Sequence, residues 1–245
     1  MNEEAALLAA VCDTPADDTA RLVFADYLQE QGGNVHGAWA LFIRGQIELA
    51  RRAEGEPGDP VTEARVRVLD VPFWRAQWFA RLGFGDTKVT CREWVRGFPV
   101  SVSGEARALR AVWPNLAVRV PFEKLKVTNV TDADIEDLVT RPALERVREL
   151  SLESEYYRDV LGDRAILALA GCAALRALRE LTACYAVLSD VAAEAVLDSP
   201  HLANLRSFST RVGYRHCDTI ALSADVRERF EQRFDPRSIN RERYD

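Results

Sequence analysis

Leu150, Leu181 and Phe208 anchor a pattern that recurs along the chain in fixed register. Three positions before each stand Val147, Leu178 and Leu205, and six before stand Leu144, Leu175 and Leu202. Eleven before lie Val139, Ala170 and Leu197, and twelve before, Leu138, Leu169 and Val196. All fifteen are apolar, in a chain that is 48% hydrophobic. Eighteen before, the column reads Asp132, Asp163 and Asp190, preceded by Thr131, Gly162 and Ser189. The step is 27 residues from 181 to 208 and 31 from 150 to 181, so one copy carries an insertion of four. A step of 27 back from Leu150 meets a weaker copy, with Ala108, Ala111, Val112, Ala117 and Val120 leading to Leu125. Self-similarity at a fixed step constrains the fold more than any local propensity does.

Each copy has two parts. Ile135, Leu138 and Val139 fall at i, i+3, i+4, one face of a helix. Thr131 and Ser189 are N-cap residue types, the following Asp suits the helix dipole, and Pro142 and Pro200 stop the helices. Leu144 to Leu152 then ends in the alternation of a short strand. The copies resemble leucine-rich repeats. That resemblance implies an α/β fold: a short leucine-rich-repeat solenoid of parallel strands plus helices, preceded by an all-α N-terminal module. A single strand-helix unit cannot bury its own apolar face, whereas stacked units share a continuous core.

The net charge of −6, with no block of like charge in the repeats, argues against nucleic acid as a partner. Five cysteines, Cys12, Cys91, Cys172, Cys184 and Cys217, lack CxxC spacing and read as reduced thiols, not a disulfide frame or zinc site. The start Met1-Asn2-Glu3-Glu4 is unlike a basic secretory signal, and no apolar run reaches membrane-spanning length. A cytoplasmic protein without a membrane partner is the expectation.

Ahead of the repeats, Ala5, Leu8, Ala9 and Cys12 mark a short helix. Thr14, Pro15 and Asp17 read as the cap, first position and capping box of a second helix, which carries Leu22, Val23, Ala25, Tyr27 and Leu28 to Gly32-Gly33. A third helix runs from Trp39 to Arg52, and Glu54 to Pro60 is a linker. Helix pattern resumes at Thr62, breaks at Pro72 and continues through Trp74, Trp78, Phe79 and Leu82, aromatics spaced as core. Arg96 to Val102 alternates as a strand. Residues Asp13 to Glu30 and Ala40 to Arg51, with Asp17, Asp18, Arg21, Asp26, Phe42, Ile43, Arg44 and Gln46, resemble the bacterial repeat-companion domain. Trp94 to Phe98 and Val226 to Phe234 are also similar to members of that group. The resemblance implies an architecture and no activity: a helical module over 1–53, linker 54–61, helical connector 62–95, solenoid 96–222, capping helix 223–235 and flexible tail 236–245.

Asp17 and Asp18 sit in a helix first turn, and a buried pair of Asp26 with Arg44 or Arg21 accounts for charges amid apolar residues. His36, His201 and His216 are too scattered for a metal, and no nucleophile elbow, phosphate loop or cofactor motif is present. No catalytic residue, metal or cofactor is assigned. In a stacked solenoid, strand residues alternating with the buried leucines face outward. These are Glu149, Ser151, Glu153, Glu180, Thr182, Cys184, Ser207, Ser209 and Arg211, with Lys124 and Lys126 from the weak copy. The insertion brings Tyr156, Tyr157 and Arg158, types enriched at binding hot spots, which either engage a partner or pack on the next loop. Val226, Phe230 and Phe234 form one helical stripe, either covering the last repeat or docking a partner.

Two function classes follow. One is a non-catalytic interaction protein that grips a protein or peptide through the strand face and the 154–160 loop. The other is an enzyme or small-ligand binder using Asp26, Arg44, Trp94 and Arg96 where the helical module meets the repeats.

Overall fold

A computed structural model describes residues 3–52, 59–154, 161–184, 186, 188–210 and 222–234. The fold is mixed α/β, with ten α-helices and a mostly parallel six-stranded sheet among the described residues. The chain forms two compact units, Met1–Val102 with Ala111–Phe122, and Ser103–Arg110 with Glu123–Asp245. No helix among the described residues is long and apolar enough to cross a membrane.

The first unit contains α1 (Glu3–Asp13), α2 (Asp18–Gln31), α3 (Asn34–Ala50), α4 (Pro60–Leu69) and α5 (Pro72–Phe79). Helix α2 starts later than the capping-box reading places it. Asp17, not Thr14, is the N-cap and accepts from Thr19 N at 2.8 Å, while the Thr14 hydroxyl donates back to Ala10 O at the end of α1. Helix α3 begins at Asn34, five residues before the Trp39 start that the sequence pattern gives. Asp59 caps α4, and most of the expected 54–61 linker lies outside the described residues. Strand β1 (Thr90–Cys91) precedes an antiparallel pair, β2 (Trp94–Val95) and β3 (Phe98–Pro99).

The expected strand across Arg96 and Gly97 is instead a two-residue hairpin turn, with φ of +51° and +81°. Gly97 is required there: a Cβ would stand 2.7 Å from the Cα of Ile43. Gln46 Oε1 accepts from Gly97 N at 2.6 Å, and Trp39 Nε1 donates to Gly97 O at 2.7 Å. The Arg21 guanidinium lies 5.2 Å from the centre of the Phe98 ring. Ile43, Gln46 and Arg21 therefore serve the core through the hairpin.

Strand β4 (Ser101–Glu105) leads into α6 (Ala106–Arg119), where the weak copy departs from the repeat. Leu109, Trp113 and Leu116 form the buried face of α6, while Ala111 is exposed and Ala108 and Val112 are half-buried. Larger side chains at i, i+4, i+7 bury more apolar area than the alanines and set the rotation of the helix.

From there the second unit is repetitive. Its elements are β5 (Lys124–Thr128), α7 (Asp132–Leu138), β6 (Glu149–Glu153), α8 (Asp163–Ala170), β7 (Glu180–Cys184), α9 (Asp190–Asp198), β8 (Ser207–Ser209) and α10 (Ala224–Arg233). Strands β5, β6, β7 and β8 are parallel neighbours in that order. Leu125, Leu150, Leu181 and Phe208 lie side by side. The step to the weak copy is thus 150 − 125 = 25 residues, two fewer than the 27 expected. Of the fifteen column residues, all but the half-buried Val139 and Leu197 are buried.

Three backbone-centred ladders tie each copy to the next. Asp132 Oδ1 accepts from Gly162 N at 2.9 Å, Asp163 from both Ser189 N and its hydroxyl, and Asp190 Oδ1 from Ser223 N at 2.8 Å. Each first-turn Asp therefore satisfies the N-cap of the following helix, and α10 joins as the next helix in the series. At the helix C-termini, Val139 O accepts from Cys172 Sγ, Ala170 O from Ser199 Oγ and Leu197 O from Arg233 Nη1. At the strand entries, Glu123 O, Arg148 O and Arg179 O each accept two N–H groups from the next copy. The stripe on α10 is buried, with Phe230 5.2 Å from Phe208 in edge-to-face contact, so α10 covers the last copy.

Candidate functional site

The outward face of β5 to β8 is where the sequence places a binding surface, and its two halves differ. Alternation holds along β5 and β6, whose odd positions are half-buried and even positions buried. Across that pair every facing charge is matched: Glu123 with Arg148 at 3.0 Å, Lys124 with Glu149 at 3.1 Å and Lys126 with Glu153 at 2.7 Å. Glu149 and Glu153 are thus neutralised within the sheet by the two lysines. Ser151 lies between them, half-buried.

On β7 and β8 the matching stops. Thr182 and Ser209 share a hydroxyl hydrogen bond at 3.1 Å. Glu180 and Ser207 are exposed neighbours in the register. Cys184, expected to face outward, is 5% exposed. It is the last residue of β7 and follows the buried Ala183, so alternation breaks at this end of the strand. Tyr156, Tyr157, Arg158 and Arg211 lie outside the described residues. Ser154, the first residue of the 154–160 loop, is buried.

A row of arginines that the strand reading passes over completes the surface. Arg148, Arg179 and Arg206 each follow the buried residue at the strand entry, Val147, Leu178 and Leu205. Arg206 N donates to Arg179 O at 2.8 Å, and Arg179 N to Arg148 O at 2.8 Å, so the three are direct neighbours. Arg179 and Arg206 are exposed. In the sequence they form a further column two positions before the anchors, outside the set that alternates with the buried leucines.

Of the alternative site residues, Asp26, Arg44 and Arg96 are paired within the first unit, whereas the buried Trp94 indole N–H has no hydrogen-bond partner among the described residues. Arg44 Nη2 meets Asp26 Oδ1 at 2.5 Å, with Asp26 66% exposed, so the pair expected to be buried faces solvent. Arg96 Nη1 donates to Ala16 O at 3.1 Å and its Nε lies 3.4 Å from Asp18 Oδ1. Trp94 is buried with its ring against Trp78. Burial pushes the Cys91 thiol up to about 12, leaving it protonated at neutral pH and a poor nucleophile. Among the described residues no group of three or more His, Cys, Asp or Glu side chains is placed to hold a metal ion. No protein-family model matches the chain, and no curated protein matches it.

Proposed function

We propose that this chain is a non-catalytic interaction protein of the cytoplasm, a repeat-companion module followed by a short leucine-rich-repeat arc. It binds a protein or peptide on the β7–β8 side of the strand face. The supporting observation is the contrast across that face: β5 and β6 neutralise each other, whereas among the described residues Arg179, Glu180 and Arg206 are exposed and have no ion-pair partner. The in-register anchors support the repeat reading, since neighbouring strand-helix units share one core. The insertion with Tyr156, Tyr157 and Arg158 belongs to this reading on residue type alone.

The test is affinity capture from the native cell with the intact chain, a Ser151→Arg/Thr182→Arg variant and a Tyr156→Ala/Tyr157→Ala/Arg158→Ala variant. A partner held by wild type should be lost with the face variant and weakened with the loop variant. Equal recovery with the face variant would remove the strand face from the proposal.

A further inference from the structure

The geometry points to an anion-accepting pair, Arg179 with Arg206, that takes an acidic side chain of a protein partner; this rests on the interaction reading above. Neighbouring strands run about 4.7–4.9 Å apart, so the two residues start from backbone positions one strand apart. Among the described residues neither guanidinium has an ion-pair or hydrogen-bond partner. Like charges directly opposite one another destabilise a sheet, and a carboxylate bridging them relieves that repulsion. The equivalent contact on the preceding strands, Glu123 with Arg148, shows what this row does when an acid is available. Planar guanidinium forks suit a carboxylate through paired N–H donors.

The neighbours of the pair narrow the partner further. Glu180 is exposed beside Arg179 and faces no cation across the register, since its partners are Glu149 on β6 and Ser207 on β8. A continuous polyanion laid over the arginines would bring charge onto Glu180 and gain little. A polypeptide can instead set an acid over the arginines and a basic or N–H donor residue over Glu180. The surface therefore fits a mixed-charge peptide segment, not a nucleic acid.

The intact protein, labelled with 15N, is titrated with an acetylated hexapeptide of alternating Glu and Gly, its Lys counterpart and hexathymidylate. The side-chain Nε–Hε signals of Arg179 and Arg206 are followed. The Glu peptide should move both signals, and Arg179→Gln/Arg206→Gln should weaken its binding by about tenfold or more. Arg164→Gln, on helix α8 and away from the strand face, should leave binding unchanged, and added salt should weaken it because exposed charges are screened. An unchanged amide spectrum around Leu150 and Leu181 establishes that the variant is folded. No response to the Glu peptide, a response that survives the double substitution, or a stronger response to hexathymidylate would each overturn the inference. A silent Glu peptide, with a partner still lost from Ser151→Arg/Thr182→Arg in the capture experiment, refutes this partner chemistry alone and leaves the interaction reading standing.

Discussion

The two units of this chain are held by different kinds of contact. In the first, each contact is individual: Trp78 stacks on Phe42 with centroids 4.9 Å apart and on Trp39 at 6.1 Å, and meets Trp94 edge-on at 5.7 Å. Its indole also donates to Val35 O. In the second unit one contact is made repeatedly: Leu125, Leu150, Leu181 and Phe208 form a single row, and the Asp132, Asp163 and Asp190 bonds recur along it. An individual core depends on a few large side chains. A repeated core distributes its stability over neighbour interfaces, so one lost contact is felt mainly by the adjoining copies.

Truncating the centre of each core should break this contrast most sharply. Trp78→Ala leaves a hole lined by rings of fixed shape and should cost about 3–5 kcal/mol. Leu181→Ala removes one link of a row and should cost about 2–4 kcal/mol. Denaturant unfolding measures both, and the chain supplies its own probe. All five tryptophans, Trp39, Trp74, Trp78, Trp94 and Trp113, lie in the first unit. Leu181→Ala should therefore shift the circular-dichroism transition more than the tryptophan-fluorescence transition. Equal shifts in both would erase the distinction.

The ladder of aspartates comes next in size. Asp163 accepts from the Ser189 hydroxyl at 2.7 Å and faces its N–H, so Asp163→Ala leaves a half-buried N-cap without its acceptor. The expected loss is about 1–3 kcal/mol, the range for stranding a buried hydrogen-bonding group. Asp163→Asn keeps an acceptor oxygen and should lose about half as much. The exposed Arg164–Glu136 pair at 2.7 Å is the control on the neighbouring residue, and Arg164→Ala should leave stability almost unchanged, since solvent screens an exposed ion pair. Equal losses for Asp163→Ala and Arg164→Ala would demote the ladder to surface decoration.

The same contrast governs what the sequence disclosed. Where a contact repeats, its residues align in columns, and Leu150, Leu181 and Phe208 stand side by side as their spacing requires. The first-turn Asp was legible as a helix-dipole partner, but its bond to the next helix joins residues about 30 apart and has no local signature. In the first unit the helices were legible and the hairpin was not. Arg96 and Gly97 fit an alternating strand pattern, and only the approach of Ile43 makes a positive φ at Gly97 necessary. On the face, polarity was legible but pairing was not. Glu149 and Glu153 have the composition of a binding surface, yet Lys124 and Lys126 already neutralise them.

Acid sharpens the comparison with the smallest effect. On α7 the Arg141 guanidinium bonds both oxygens of Asp137, with Nη2–Oδ1 at 2.7 Å, and holds this carboxyl below its ordinary value of 3.8. In the first unit the N-cap carboxyl of Asp17 is held down by the backbone N–H of Thr19. A carboxyl depressed in the folded state stabilises above its unfolded value and loses that contribution as pH falls through the folded one. Both units should therefore weaken on the same side, below pH 3.8 and not near neutrality. Because Asp137 is solvent-facing, Asp137→Asn should cost only about 0.3–0.5 kcal/mol at neutral pH, the scale of an i,i+4 pair. The difference between wild type and Asp137→Asn should then close on acidification in circular dichroism, while tryptophan fluorescence of the two proteins superimposes throughout. A gap that widens in acid would mean that Asp137 binds its proton more readily in the folded chain, contrary to the Arg141 contact.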